Sequence, residues 1–136
     1  MTDRRRLVVV GNGMAGARLI EEILSRGGRD RFDIIVFGDE PHGNYNRILL
    51  SGVLAGSHRA ADVMLNSPEW YRTNAITLRA GSRIERINLK DQTVASADGR
   101  VESYDILVLA TGSQPLVPPI DGLRGDDGRL RDGAFV

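Results

Sequence analysis

The chain has 136 residues, 18 basic against 18 acidic side chains, no net charge and no cysteine. That length predicts one domain, able to bury about two-thirds of its chain surface. Balanced charge argues against a nucleic-acid-binding module, which carries a basic excess. The lack of cysteine excludes a disulfide framework, a thiolate zinc site and a thiol nucleophile.

Met1 to Arg6, followed by apolar residues, has the outline of an export signal. The apolar run is too short for one and is broken at Gly11. Arg4 to Arg6 therefore read as a solvated lead-in to a strand. No segment approaches the ~18 apolar residues of a membrane span, so the expectation is a cytoplasmic protein without a membrane partner. His42 and His58 lie in polar stretches without a partner at metal-ligand spacing and read as surface residues. No metal site is expected.

Leu7-Val8-Val9-Val10 reads as a strand buried on both faces. Directly behind it stands Gly11-Asn12-Gly13-Met14-Ala15-Gly16, a complete Gly-x-Gly-x-x-Gly pattern. In a dinucleotide site Gly11 permits the tight turn, Gly13 lets the backbone approach a diphosphate, and Gly16 lets helix and strand pack closely. The free N–H groups and dipole of the following helix would face the diphosphate. Leu19, Ile20, Ile23 and Leu24 recur at helical spacing, and Gly27-Gly28 ends that helix. Phe32 to Phe37 is a second apolar strand. Strand, turn, helix and strand make one right-handed βαβ unit. An acidic residue is then expected to meet the ribose hydroxyls. The order Phe37-Gly38-Asp39-Glu40 leaves both Asp39 and Glu40 as candidates.

His42 to Arg47 is a polar loop feeding a short apolar helix, Ile48 to Leu54, with Arg47 at its start placed to meet a phosphate. Ser67-Pro68-Glu69-Trp70 has the form of a helix start, and Trp70 and Tyr71 pack that helix onto the domain. Ile76 to Leu78 is a short strand. Arg83 to Leu89, Thr93 to Ser96 and Arg100 to Tyr104 form an antiparallel meander with Asp98-Gly99 as a hairpin turn. Asp105 to Leu109 has the pattern of a central parallel strand. It runs into Ala110-Thr111-Gly112, small residues at the carboxyl end of the sheet, where open α/β sheets bind nucleotides. Pro115, Pro118 and Pro119 stiffen the exit. The stretch from Gly122 to Gly133 is loop-like, and Ala134-Phe135-Val136 looks like a strand beginning. The fold class is α/β, a Rossmann-like domain over residues 1–122 and a tail over 123–136.

This combination, in this order, resembles the FAD-binding domain of the two-dinucleotide-binding flavoproteins, which include glutathione reductase and the rubredoxin and ferredoxin reductases. Within that superfamily, Val36 to Ser51 is similar to the large subunit of NAD(P)H-dependent assimilatory nitrite reductase. It is similar also to the electron-transfer subunit of assimilatory nitrate reductase. Gly11 to Gly16 and Glu69-Trp70-Tyr71 support the same group.

The resemblance implies that Gly11, Asn12, Gly13, Met14, Ala15 and Gly16 lie at the FAD diphosphate and Asp39 or Glu40 at the adenosine ribose. It implies Arg47 further along the cofactor, the Ile84 backbone at the adenine, and Ala110, Thr111 and Gly112 closing over it. Gly38 stands where many relatives carry the ribose-binding acid. Family members continue into an NAD(P)H domain and a return segment, so the fold is expected to be incomplete at the C-terminus. The chain looks like an amino-terminal portion of such a protein. The fragment alone is expected to be inactive with NAD(P)H and to hold FAD weakly.

In the parent protein, electrons would pass from NAD(P)H through FAD to a redox partner or downstream redox domain. Iron–sulfur and siroheme centres follow only if the parent is nitrite reductase. An oligomer is compatible with the sequence. Asn44 to Leu54 contains no cysteine, so a thiol relay of the disulfide-reductase kind is excluded, and no catalytic acid or base stands out. The alternatives are a rubredoxin or ferredoxin reductase-like flavoprotein, a non-catalytic dinucleotide-binding module, and an interaction domain whose glycines serve packing.

Overall fold

The computed structural model describes residues 4–136. Its first strand, β1 (Arg5–Val10), lies between β2 (Phe32–Phe37) and β7 (Ile106–Leu109), and β3 (Ile76–Arg79) flanks β2. All three pairings are parallel. Continuous apolar runs fit this sheet because both of its faces are covered.

Successive residues of a strand point to opposite faces, and the two cores follow that alternation. Leu7, Val9, Ile34, Val36 and Ile76 pack on one face with Ile20 of α1 (Met14–Ser25) and Tyr71 of α3 (Pro68–Thr73). Val8, Val10, Ile35 and Phe37 pack on the other with Val94 and Tyr104. Val94 belongs to the antiparallel meander β4 (Ile84–Asn88), β5 (Thr93–Ser96), β6 (Val101–Ser103). The result is helices, parallel sheet and meander in three layers. Each fully buried side chain of this size stabilises the fold by roughly 1.5–3 kcal/mol.

Local signals set several ends. The Ser67 hydroxyl accepts the Trp70 N–H at 3.1 Å, with Pro68 opening α3. Gly99, at φ +83°, turns the hairpin between β5 and β6, and the Ser96 N–H closes it onto the Arg100 carbonyl at 2.9 Å.

Four expectations are corrected. Met1 to Asp3 lie outside the described residues, but Arg5 and Arg6 belong to β1 rather than to a lead-in. They pair with Phe32 and Asp33, and the Asp105 carboxylate accepts the Arg6 N–H at 2.6 Å. The segment from Ile48 to Leu54 divides into a 3₁₀ turn, Arg47–Leu49, and α2 (Leu50–Leu54), with no buried residue in either. Among the described residues β7 has one strand neighbour, β1, and Leu109 is 60% exposed, so it forms an edge of the sheet. Ala134 to Val136 form no strand, and the tail before them carries one isolated bridge, between Arg124 and Leu130.

Candidate functional site

The carboxyl ends of β1, β2 and β7 open onto one cleft of about 770 Å³. Gly11, at φ +113°, makes the turn out of β1, and its N–H donates to the Phe37 carbonyl at 2.8 Å. A side chain there would collide with the Ala110 carbonyl. Gly16 is buried behind the turn, where a Cβ would strike the Gly11 carbonyl oxygen. It serves helix–strand packing and is absent from the cleft wall. Gly13 differs from both: a Cβ there meets nothing within 4 Å.

Gly13 also caps α1 without any side-chain hydrogen bond, and no acidic residue lies in the first turn. Helices usually satisfy their leading N–H groups with Ser, Thr, Asp or Asn. Here the amides of the first turn and the positive end of a twelve-residue helix open beside Met14 and Ala15, which line the cleft. This is an arrangement suited to an anion.

Asp39 and Glu40 stand on the same wall. The Arg83 guanidinium pairs with the Asp39 carboxylate at 2.8 Å. Both side chains are more than half exposed, so the pair contributes at most about 1 kcal/mol to stability. Its effect is to orient Asp39. Glu40 accepts the Tyr45 hydroxyl at 2.8 Å and lies 3.5 Å from Arg47. The Arg47 guanidinium in turn lies over the Tyr45 ring, 5.4 Å from its centroid. Burial, together with the hydrogen bond to Glu40 and that carboxylate's charge, raises the Tyr45 pKa.

Asn12 joins the cleft to the core. Its Oδ1 accepts the Tyr71 hydroxyl at 3.1 Å, while its Nδ2 is buried without a partner. Burial raises the Tyr71 pKa, and the hydrogen bond to Asn12 offsets part of that rise.

Gly11 to Ala15, Asp39, Glu40, Arg47, Ile84, Ala110, Thr111 and Gly112 all line this one cleft. Gly16 is the sequence candidate that does not. Sequence reading missed Arg83, Ser82 and Gln114 on the wall. His42, read as a plain surface residue, also lines it. These four carry no local motif, and only the meander and the loop return place them here. Among the described residues no group of three or more His, Asp or Glu side chains is arranged to hold a metal ion.

The family model for pyridine nucleotide-disulphide oxidoreductases matches residues 5–133. The chain is 50% identical over 119 residues to the assimilatory nitrate reductase electron transfer subunit of Bacillus subtilis (strain 168). It is 49% identical over 119 residues to that organism's nitrite reductase [NAD(P)H]. Each alignment covers 88% of this chain and 15% of the relative, so the chain spans a small part of either protein's length. Among solved structures, the covalent putidaredoxin reductase–putidaredoxin complex matches with a TM-score of 0.79 and 33% identity. That match covers 87% of this chain and 28% of the other. With the parallel βαβ core, the glycine turn and the family match in agreement, the chain belongs to the pyridine nucleotide-disulphide oxidoreductase family.

Proposed function

We propose that this chain is the FAD-binding portion of an NAD(P)H-dependent flavoprotein oxidoreductase of the nitrite reductase type. The observation that carries the reading is the uncapped start of α1 beside Gly13, whose open side leaves room for a diphosphate. Residues 1–122 form the cofactor domain and 123–136 its tail.

The residues present fit FAD. The amides of the first turn of α1 take the diphosphate, with Gly13 giving the close approach and Gly11 and Gly16 holding the turn. Asp39 or Glu40 accepts the adenosine ribose hydroxyls, and the Ile84 backbone meets the adenine. Arg47 supplies positive charge further along, and Ala110, Thr111 and Gly112 line the opposite wall. Held by these residues, FAD would supply hydride and electron transfer between NAD(P)H and a further redox centre. The chain's own part is to bind and orient, and it contributes no thiol of its own.

A redox protein or downstream redox domain is the acceptor, and the setting is cytoplasmic. No helix among the described residues is long and apolar enough to cross a membrane. Iron–sulfur and siroheme centres belong to the parent if it is nitrite reductase. The likeness to putidaredoxin reductase favours, as the second reading, a ferredoxin reductase-like flavoprotein. Iron–sulfur and siroheme ligand motifs elsewhere in the parent polypeptide separate the two.

The test is purification of the chain with FAD. With FAD kept in excess until a final rapid desalting, the expected result is a yellow protein that releases FAD on denaturation. A colourless protein stabilised by NAD and not by FAD would overturn the proposal in favour of a different nucleotide module.

A further inference from the structure

Three side chains at the cleft hold one another. The Tyr45 hydroxyl donates to Glu40 Oε1 at 2.8 Å, and the Arg47 guanidinium lies 3.5 Å from that same oxygen. The guanidinium also lies over the Tyr45 ring, 5.4 Å from its centroid, a cation–π contact. The contacts close a triangle of acid, phenol and cation. Glu40 and Arg47 line the cleft, while Tyr45 lies outside its lining.

Each corner leaves a fixed backbone. The Glu40 carbonyl accepts the Gly81 N–H at 2.8 Å. Tyr45 pairs with Met64 in an isolated bridge, and its ring meets the His42 ring with centroids 5.5 Å apart. Next to Arg47, the Asn46 N–H donates to the Val63 carbonyl at 2.8 Å, and the Asn46 side chain accepts the Ile48 N–H at 3.0 Å. The Arg47 side chain is itself 62% exposed. A long exposed side chain loses rotamer freedom when it grips a ligand, and holding it beforehand lowers that cost.

We infer that Glu40 is a positioning residue: with Tyr45 it fixes the Arg47 guanidinium for the cofactor, rather than accepting the ribose hydroxyls itself. The inference rests on the FAD reading above and separates the two carboxylates, leaving the ribose to Asp39. The sign of one substitution distinguishes the roles. FAD brings an anionic diphosphate, which a carboxylate on the cleft wall repels. Removing a carboxylate that did nothing else would therefore tighten binding. Removing one that aims Arg47 weakens it, and only while Arg47 is present.

The test is a double-mutant cycle read as the FAD dissociation constant of the 136-residue chain. Glu40→Ala is expected to weaken FAD by roughly threefold or more in the unsubstituted background. In the Arg47→Ala background it should leave the affinity unchanged or raise it. Tyr45→Phe keeps the ring and removes the donor to Glu40, and its loss should likewise vanish without Arg47. An equal loss from Glu40→Ala in both backgrounds overturns the inference in favour of direct contact with the cofactor, and leaves the FAD site standing. Unchanged or tighter binding by Glu40→Ala with Arg47 present overturns it as well. An unsubstituted chain that takes up no FAD overturns both readings.

Discussion

A Cβ built on Gly38 would lie 3.1 Å from the Cβ of Asn12. The side chain of Asn12, whose Oδ1 accepts the Tyr71 hydroxyl, thus occupies the flank of Gly38. Gly38 is itself buried. The carboxylates follow one and two residues later, at positions where both are exposed.

Gly38→Ala should therefore destabilise the chain, by about 1–3 kcal/mol as overpacking does. Asn12→Gly removes the opposing Cβ and should relieve most of that cost. Urea unfolding of the two single variants and the double variant measures it, and additive losses would refute the contact.

Gly11 and Gly13 should fail differently. Gly11→Val forces a side chain into the Ala110 carbonyl at a φ of +113°, and should lower the melting temperature sharply. Gly13→Val enters open space at an ordinary φ of −88°. It should leave the melting point of the FAD-free chain nearly unchanged while weakening FAD by roughly tenfold or more. Wild-type FAD affinity in Gly13→Val would contradict the assigned diphosphate position.

Asp98 governs part of the acid response. Its carboxyl accepts the Ser96 hydroxyl and the Arg100 N–H, which hold its pKa below the ordinary carboxylate value. A depressed folded pKa contributes stability that is present above the unfolded value and is lost as pH falls through the folded one. Asp98→Asn should flatten the loss of stability between those two points. An unchanged acid limb in a pH series of unfolding curves would count against this.

The Arg83–Asp39 pair is exposed, so Arg83→Ala should change the unfolding free energy by less than about 1 kcal/mol. Its effect should fall on FAD binding, because Asp39 loses its fixed orientation. Stability and affinity measured together test this, and a large stability loss with unaltered affinity would reverse the assignment.

With one Gly-x-Gly-x-x-Gly pattern in its 136 residues, the chain should turn over NADH negligibly in the presence of FAD and an artificial electron acceptor. Absorbance at the nicotinamide band reports it, and robust oxidation would overturn the division of labour proposed above.

The opening βαβ unit was legible in the amino-acid order because each of its signals is local. Phe32–Phe37 falls where the apolar run places it, α1 starts at Met14 behind the glycine turn, and Ser67 caps α3. Strand burial, turn chemistry and capping act over a few residues. The place of β7 was not legible: an apolar run reads alike at the centre or the edge of a sheet, and only assembly shows that Leu109 is exposed. Ile48 to Leu54 likewise read as one short apolar helix, yet the segment divides into a 3₁₀ turn and α2, with no buried residue in either.

Sequence alone thus determined the chemistry on offer: a glycine turn that frees amides, two candidate carboxylates, one arginine, and no thiol. Tertiary structure decided which groups meet. Tyr71 reaches Asn12 across 59 residues, and Arg83 reaches Asp39 across 44. Such pairings depend on the order in which strands and layers stack, which no local pattern encodes.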